Sequence, residues 1–437
     1  MQVSEYFLVD VARQWFARLS HTERQLALQF GGLEWGSGCS GLDTPVFVFK
    51  ALRSLFGSRF QTSHAFSCDI DPGCQRWIRA VSPSCLVFRD MRDLAQMMAN
   101  EIKAGCPVRV PYIDMFIAGF VCKDLSAESS KRTENALHEN GQSGITWRAV
   151  KAYVVFRLPK IVRLENVKGL KQDLTTVIVA MGLVGYNCIS FELDSSGFFL
   201  PQKRVRIYIV CVRHGSDALL EDIAHFIALF GTNNPVSDAS SFLVPAHEDL
   251  LLQEQAQTVE RFHKGELNPE KGCGCKRRKW MTDHAIAQSA LSEMRPMKSL
   301  SLDPLLVECY PDLALLSARE WDMLVLTGTE MPDAVERIAK LSASLNRVDF
   351  HEGGIIPTLT ARSRFFFTRR GRLLRGREAL RLQGMFVPAE ITNAFSDTFL
   401  LSKSGNAFSA TVCMAVVLAV FCALPKHDVS FSHQHGG

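Results

Sequence analysis

Four side chains of reactive type stand near the ends of predicted strands that are far apart in the sequence. Cys122 follows the apolar run YIDMFIAGF and Glu165 follows the run KIVRL, whereas Arg204 and Arg206 begin the run RVRIYIV. A cysteine attacks as its thiolate, which neighbouring guanidinium groups favour. A carboxyl group beside it can transfer a proton. These residues predict a site of nucleophilic catalysis if the fold brings them together.

Each of these residues also has a plain structural interpretation. A free cysteine is most often a small buried hydrophobe. Glu165 could be a surface charge, and two arginines that alternate along one strand could form a solvated face. Cys122 is set apart because it lies in a polar loop with Gly119, Lys123 and Asp124. We therefore interpret the four residues as a catalytic set.

A second set of residues could hold a cofactor. The segment GSGCSGLDTP follows an apolar run and opens a predicted helix. Its small residues let a ligand approach the backbone, although a tight packing turn would look the same. At the ends of the next two strands, Asp69 could bond a ribose hydroxyl pair and Asp90 an exocyclic amine. The three features predict an adenosine-containing cofactor, and since no P-loop pattern occurs, one with little or no phosphate.

The elements around these residues alternate between strands and helices from about residue 33 to residue 213. This alternation predicts an α/β fold with a doubly wound, mostly parallel sheet. Ligands bind at the carboxyl ends of the strands in such a sheet, where the candidate residues fall. The alternation stops near His214. We predict a helical extension, a cofactor-binding catalytic domain, an inserted smaller domain and a return to the catalytic domain, over residues 1–30, 31–213, 214–350 and 351–437.

The composition is that of an ordinary globular protein, with 437 residues, 47% apolar and 22% charged residues, and a net charge of +4. The thirteen cysteines are scattered and no secretory signal is found, which indicates a reducing compartment. The apolar stretch Ala407–Pro425 approaches the length of a membrane span. It carries Ser409 and Thr411 and follows a Gly-Asn turn, so we interpret it as a buried core helix and expect no membrane.

Basic residues are concentrated between Arg362 and Arg381, where eight arginines face one acid, Glu378. The segment RSRFFFTRRGR interleaves arginines with aromatic residues, as in nucleic-acid-binding surfaces. The alternative is a solvated face that pairs with the acid-rich stretch 217–269. Farther upstream, Cys273 and Cys275 have no matching second pair, so they indicate a zinc site only weakly; that question stays open and we assign no metal.

The order of these motifs resembles that of the cytosine-5 DNA methyltransferases. The resemblance rests on the Gly-rich turn, Glu-Asn-Val, PQKRVRIYIV, EALRLQGM and GNAFSATV, and runs over residues 33–210 and 375–437. It implies a class I methyltransferase (Rossmann-like) fold, S-adenosylmethionine as cofactor, double-stranded DNA as substrate and a flipped-out base. It also implies that the insert is a target-recognition domain. The location would be the nucleus in a eukaryote and otherwise the cytoplasm.

The resemblance also assigns roles to residues. Cys122 would add to carbon 6 of cytosine, Glu165 would bond ring nitrogen 3 and the exocyclic amine, and the arginine pair would orient the base and the glutamate. The expected cofactor contacts are Gly38, Ser40, Gly41, Asp69, Ile70, Asp90 and Asn406. The expected substrate contacts are Gln202, Arg362 and Arg364.

Two departures from the family pattern stand out. The family usually has Pro-Pro-Cys-Gln at the nucleophile, whereas this chain has Phe-Val-Cys-Lys, with Val121 before the thiol. Gly36 stands where an aromatic residue often covers the adenine, and Trp35 is adjacent. We expect activity to survive these changes.

Two alternatives stay open at this point. The altered flanks of Cys122 would suit a catalytically silent relative that binds nucleic acid or a partner, although the intact set with Glu165 and Arg204 argues against it. One branch of the family methylates tRNA. That branch typically carries Cys-Phe-Thr in the variable region, and this sequence has no such signature there.

Overall fold

The computed structural model describes residues 3–28, 32–125, 136–235, 237–245, 247–267, 304–326, 336–343, 350–352 and 354–427. The chain divides into two compact units. The larger unit comprises Ser4–Val236, Gln383–Phe395 and Asn406–Gly437, and the smaller unit comprises Met1–Val3, Ser237–Leu382 and Ser396–Gly405. Cys273 and Cys275 lie outside the described residues.

The larger unit is built on a seven-stranded sheet with the order β3-β2-β1-β6-β7-β10-β8. Strands β3, β2, β1, β6 and β7 are parallel, and β10 runs antiparallel to both β7 and β8. The predicted mostly parallel, doubly wound sheet is therefore confirmed. The strands of this unit are β1 (Leu33–Gly38), β2 (Thr62–Cys68), β3 (Leu86–Phe88), β4 (Met98–Asn100), β5 (Pro107–Arg109), β6 (Met115–Ala118), β7 (Ile161–Val167), β8 (Tyr186–Asp194), β9 (Gln202–Lys203) and β10 (Val205–Arg213).

Helices cover the faces of this sheet. The first seven are α1 (Phe7–Arg18), α2 (His21–Ala27), α3 (Thr44–Phe56), α4 (Pro72–Val81), α5 (Gln142–Arg157), α6 (Leu174–Gly182) and α7 (Asp217–Gly231). Capping side chains mark where several of them begin. Asp71, for example, accepts hydrogen bonds from the N–H groups of Gly73 and Cys74, and Pro72 occupies the first turn of α4.

The smaller unit contains a four-stranded antiparallel sheet with the order β12-β11-β14-β15. Its buried core includes Leu313, Met323, Leu341 and Phe366. Its strands are β11 (Arg337–Lys340), β12 (Phe350–Glu352), β13 (Ile356–Pro357), β14 (Phe365–Phe367) and β15 (Arg372–Leu373). Its helices are α8 (Asp249–His263), α9 (Pro304–Cys309), α10 (Ala318–Leu326) and α11 (Gly376–Leu382).

The remaining helices are α12 (Ala389–Thr392), α13 (Asp397–Asn406) and α14 (Ala410–Ala423). All residues of α14 are buried, and the helix packs against α3 and α7. Among the described residues, Ala410–His427 is the stretch that is long and apolar enough to cross a membrane, and 83% of it is buried inside the fold. Because α7 packs on α14, its residues lie in the larger unit, whereas the sequence pattern placed them in the insert.

The arginine-rich segment is not one exposed basic face. Phe365, Phe366 and Phe367 are fully buried in β14, so they cannot stack on nucleic-acid bases, and that expectation is wrong. Arg372 and Arg375 are also buried in the smaller unit, each in an ion pair with a carboxylate. Core packing and ion pairing within the smaller unit account for much of this segment.

The strand order of the sheet indicates a ligand site next to β1, which lies between β2 and β6. The chain builds outward from β1 on one side and from β6 on the other, so the sheet reverses its strand order there. Ligands of doubly wound folds bind at such a reversal, outside the carboxyl ends of the strands. The loops after Gly38 and after Ala118 both leave the sheet at this point.

Candidate active site

Cys122 lies in the loop that follows β6, and it is partly buried. The Asn166 side chain donates to the Phe120 carbonyl at 2.9 Å, which ties this loop to the end of β7 next to Glu165. At the start of the loop, a Cβ atom on Gly119 would lie 2.5 Å from the ring of Phe408. Only glycine therefore lets the loop pass this ring without displacing it.

Glu165 and Arg206 meet across β7 and β10. Arg206 pairs in register with Val167, and its Nε atom lies 3.5 Å from Glu165 Oε1. Arg204 is 3% exposed, and its Nη2 atom donates to the Ala407 carbonyl at 2.8 Å. Its backbone N–H donates to Asp194 Oδ1 at 2.8 Å. The strand pairing thus fixes the carboxyl and both guanidinium groups at one edge of the sheet.

The electrostatics of the thiol connect it to this group. Burial raises the pKa of Cys122, and the Glu165 carboxylate raises it further, whereas Arg206 and Arg204 oppose the rise. The four predicted catalytic residues therefore act on one another. With a raised pKa, the thiol is predominantly protonated at neutral pH before substrate binds.

Glu165 is itself buried, and burial raises its pKa. Arg206, Arg204 and Arg163 oppose that rise without cancelling it. Burial also lowers the pKa of Arg204 to about 9, helped by the like charge of Arg206. A carboxyl group with a raised pKa can hold a proton closer to neutral pH, as a general acid requires.

Arg163 is a member of this group that the sequence analysis missed. It is fully buried, with its guanidinium carbon 5.2 Å from the ring centre of Tyr208 and 5.3 Å from that of Phe408. Nη1 donates to Cys413 Sγ at 2.8 Å, while Nε and Nη2 have no hydrogen-bond partner among the described residues. The period of two in IVRLENV places Arg163 on the same face of β7 as Glu165, and that signal could have identified it.

The turn after β1 has the geometry of a small-residue cradle. A Cβ on Gly38 would lie 2.7 Å from both Met91 Sδ and the ring of Phe116. Gly41 has a positive φ of 56° with open space where its side chain would be, and its N–H donates to Asp69 Oδ2 at 2.7 Å. The turn and the carboxylate at the end of β2 are thereby joined.

Hydrogen bonds of serine hydroxyl groups hold this turn in place. Ser40 Oγ lies 2.6 Å from Ser37 Oγ and donates to the Cys68 carbonyl at 3.1 Å. Asp43 is fully buried and accepts hydrogen bonds from Ser37 Oγ at 2.9 Å and from Ser67 Oγ at 2.5 Å. Burial raises the pKa of Asp43 to about 6, although both hydroxyl groups oppose the rise. The sequence analysis did not single out this carboxylate.

Two of the other expected cofactor contacts, Ile70 and Asp90, follow the carboxyl ends of β2 and β3. Ile70 is 65% exposed, an unusual exposure for a large apolar side chain, and directly follows Asp69. Asp90 accepts a hydrogen bond from Arg92 Nε at 3.0 Å, and Arg92 holds the pKa of this carboxyl below its ordinary value. Asn406 is exposed at the end of α13. Together with the cradle, an acid and an exposed apolar side chain fit an adenosine-containing group.

Trp35 does not replace the aromatic residue that the family pattern places at Gly36. It is 2% exposed and stacks on His64, with ring centres 3.8 Å apart, and on Phe49, with ring centres 4.5 Å apart. At Gly36, a Cβ would lie 2.7 Å from the ring of Phe66. Both positions are therefore occupied by core packing.

The expected substrate contacts fall in both units. Gln202 is fully buried in the larger unit, where its carbonyl accepts a hydrogen bond from Ser195 Oγ at 2.6 Å. Arg362 is exposed in the smaller unit, and Arg364 pairs there with Glu320 at 3.0 Å. Their part in substrate binding stays a prediction. Among the described residues, no group of three or more metal-ligating side chains is found.

A comparison with protein families matches residues 51–422 to the C-5 cytosine-specific DNA methylases. Over 426 residues the chain is 26% identical to DNA (cytosine-5-)-methyltransferase DMT5 of Cryptococcus neoformans, covering 90% of this chain and 17% of that protein. It is 24% identical to the protein of the same name from Verticillium dahliae, covering 90% of this chain and 20% of the relative. The chain thus spans about a fifth of the length of these relatives.

Shorter matches include the type II methyltransferase M.DsaV of Dactylococcopsis salina, 29% identical over 33% of this chain and 38% of that protein. Two solved structures are also similar. The Dnmt2 methyltransferase of S. pombe is 13% identical, with a TM-score of 0.47 over 89% of this chain and 98% of its own. A putative DNA modification methyltransferase from an E. coli prophage is 15% identical, with a TM-score of 0.49 over 90% of this chain and 99% of its own.

Proposed function

The chain belongs to the C-5 cytosine-specific DNA methylases, and from this premise we propose that it methylates carbon 5 of cytosine in double-stranded DNA. The observation that carries the proposal is that three separate segments bring Cys122, Glu165 and Arg206 together. Arg206 Nε lies 3.5 Å from Glu165 Oε1, and Asn166, next to Glu165, bonds the loop that holds Cys122. Their residue types are those that nucleophilic activation of a pyrimidine ring requires.

S-adenosylmethionine is the methyl donor of this family. The cradle at Gly38 and Gly41, the Asp69 carboxylate and the exposed Ile70 side chain would hold its adenosine part, and Asn406 is a further candidate contact. When bound, the cofactor supplies the methyl group that carbon 5 of the activated base accepts. The cradle leaves the Gly41 side open, as a ligand close to the backbone requires.

Cys122 has the task of making carbon 5 nucleophilic. Its sulfur adds to carbon 6 of cytosine, which breaks the aromaticity of the ring and leaves an enamine. Glu165, whose raised pKa favours the protonated form, donates to ring nitrogen 3 and so stabilises the charge that develops there. After methylation, the proton on carbon 5 passes to water, the carbon 6–sulfur bond breaks, and Cys122 leaves as the thiolate, which restores the aromatic ring.

Arg204 and Arg206 stabilise negative charge on the buried Glu165 carboxyl and on the Cys122 thiolate. Arg206 faces the Glu165 carboxyl, and Arg206 and Arg204 both favour the thiolate over the thiol. Proton loss from Cys122 is thereby assisted, although burial and Glu165 outweigh the arginines before substrate is bound. A positive charge beside the thiol would shift this balance toward the thiolate, and the sulfonium of bound S-adenosylmethionine would supply one.

The target base cannot reach a partly buried thiol from inside a duplex. We therefore propose that the base is flipped out of the helix, which costs a few kcal/mol of stacking and pairing. The predicted insert, residues 214–350, stays the candidate for target recognition apart from α7, which belongs to the larger unit. Location in the nucleus of a eukaryotic host likewise stays a prediction.

Transfer of a labelled methyl group from S-adenosylmethionine to unmethylated duplex DNA tests the proposal. Cys122→Ala should lower the rate by a factor on the order of 10³ or more, since the nucleophile is lost. Cys106→Ala is the matched control, because Cys106 is an exposed free cysteine of the same unit, and it should retain the wild-type rate.

The same assay separates the alternatives. Transfer to total RNA in preference to DNA would identify a tRNA-type enzyme. Cofactor binding without transfer to any duplex would identify a silent relative. Equal rates for Cys122→Ala and Cys106→Ala would contradict the covalent mechanism itself.

A further inference from the structure

The loop that carries the thiol, residues 119–125, is hydrogen-bonded to the first two turns of α5 on both sides of Cys122. Before the thiol, the Val121 N–H donates to Thr146 Oγ1 at 3.2 Å. After it, the Asp124 N–H donates to Ser143 Oγ at 3.1 Å, and the Ser143 N–H donates to Asp124 Oδ2 at 2.8 Å. The backbone at the nucleophile is thus held by side chains of a helix that carries none of the predicted catalytic residues.

The Thr146 hydroxyl is itself oriented by the helix. Its proton lies within reach of the Gln142 carbonyl at 2.8 Å and the Ser143 carbonyl at 3.2 Å. With the proton directed at the helix backbone, the lone pairs of the oxygen are left to accept from Val121. The acceptor is therefore fixed in place before the loop meets it.

The backbone at position 121 can be held either by a proline ring or by a hydrogen bond from the backbone N–H, but not by both. A proline fixes its own φ and has no N–H, so it needs no acceptor. Valine leaves φ adjustable and brings a partly buried N–H that must find a partner. In this chain the partner is Thr146.

We propose that Thr146 is a positioning residue for the proposed methyl transfer, holding the Cys122 backbone through the Val121 N–H in place of a proline constraint. This inference rests on the proposed function for its effect on rate. A reacting sulfur must be held within a few tenths of an ångström of its productive place, and small displacements lower the rate of the chemical step. Thr146 touches neither the thiol nor Glu165 through any bond described above, so its effect passes through the loop.

Thr146→Val removes the acceptor while keeping the shape of the side chain, and Thr146→Ser keeps the hydroxyl. Thr146→Val should lower kcat about tenfold, with KM for DNA and for S-adenosylmethionine changed less than about twofold. Thr146→Ser should restore kcat to within about twofold of wild type. Thr146→Ala replaces Thr146→Val if the latter fails to fold.

The decisive comparison repeats these variants together with Val121→Pro. Without an N–H at position 121 there is no donor to leave unpaired, so adding Thr146→Val should change kcat by less than about twofold. An equal loss of kcat with and without Val121→Pro would overturn the proposal, because Thr146 would then act by some route other than this hydrogen bond.

Hydrogen exchange at the Val121 amide makes the test independent of methyl transfer. Thr146→Val should speed exchange at this amide at least about tenfold, and Thr146→Ser should not. If wild type transfers no methyl group, the proposed function fails, but the exchange result still decides whether Thr146 holds the loop. Equal exchange in the Val and Ser variants would refute the proposal.

Discussion

Two buried glutamates, each facing arginine, behave in opposite ways. In the smaller unit, burial would raise the pKa of Glu378, but Arg372 and two backbone N–H groups outweigh it and the pKa lies below its ordinary value. In the larger unit, burial raises the pKa of Glu165, and the surrounding arginines do not reverse the rise. Residue type and burial are shared, so the difference lies in how completely each carboxylate is bonded.

The distances show that difference. Arg372 approaches Glu378 with two N–H groups, at 2.6 and 2.9 Å, and the Val244 and Arg375 N–H groups add bonds of 2.8 and 2.9 Å. The ion pair of Glu165 with Arg206 spans 3.5 Å. A fully bonded buried carboxylate stays ionised and holds a fold together, whereas a loosely paired one is ready to exchange a proton or bond a substrate.

The largest expected effect is on activity at the loosely paired glutamate. Glu165→Gln should lower the methyl-transfer rate by a factor on the order of 10³, because an amide cannot donate an acidic proton to ring nitrogen 3. The free energy of unfolding should fall less than in Glu378→Gln, because the Glu165–Arg206 pair, at 3.5 Å, is loosely bonded. Activity of Glu165→Gln within tenfold of wild type would contradict the role of Glu165 as the proton donor.

The reverse pattern is expected at the tightly bonded glutamate. Glu378→Gln should destabilise the smaller unit by about 3–5 kcal/mol, because the buried Arg372 charge loses its partner. Urea unfolding monitored by circular dichroism measures this loss. The double variant Arg372→Met with Glu378→Leu should recover most of it, and a double variant no more stable than Glu378→Gln would contradict the explanation.

The stability of wild type and of Glu378→Gln should depend differently on pH. Since the folded pKa of Glu378 lies below the ordinary value of 4.5, its contribution is complete above that pH and is lost as pH falls through the folded value. Unfolding curves between about pH 6 and pH 3 should show wild type losing more stability than Glu378→Gln. Parallel curves for the two proteins would be inconsistent with a depressed pKa.

Arg163 is buried like Arg372, but it lacks a full set of hydrogen bonds. Arg163→Met keeps the length of the side chain and removes two N–H groups that have no partner in the described part of the chain. Stability should be unchanged or higher by up to about 2 kcal/mol. Loss of this cation should raise the pKa of Glu165 further, so methyl transfer should persist to higher pH than in wild type, which a pH–rate profile measures. A loss of stability of several kcal/mol would assign Arg163 to the fold instead.

The smallest effect concerns the thiol. The Glu165 carboxylate contributes to the raised pKa of Cys122, so Glu165→Gln should lower that pKa and speed alkylation of Cys122 severalfold at pH 7. The variant that loses methyl transfer would therefore have the more reactive thiol toward iodoacetamide. Slower alkylation in Glu165→Gln would show that the carboxylate does not act on the thiol in this way.

Much of the larger unit could be predicted because each strand and helix is indicated by a pattern of neighbouring residues in the sequence. Runs such as YIDMFIAGF and KRVRIYIV define β6 and β10, and the chain order of strands and helices implies the parallel sheet. The residues at the strand ends followed from the same pattern, since parallel strands present their carboxyl ends at one edge.

The parts that sequence could not supply depend on contacts between distant residues. Arg163 was missed because its burial between Tyr208 and Phe408 requires β10 and the start of α14 to be in place. The role expected of the aromatic residues near Arg362 was wrong because the alternation of charges and rings in sequence does not reveal that β14 is a buried strand. Pairing partners such as Asp312 for Arg375 lie too far away in sequence to be read from a charge pattern.

In the proposed mechanism, the Cys122 sulfur bonds to carbon 6 of the target base. A duplex with 5-fluorocytosine at the target tests it directly, because fluorine replaces the proton that must leave before the thiol can depart. With S-adenosylmethionine present, a protein–DNA adduct should form that survives denaturation and maps to the peptide containing Cys122. Methylation of ordinary cytosine without such an adduct, or an adduct at another cysteine, would contradict it.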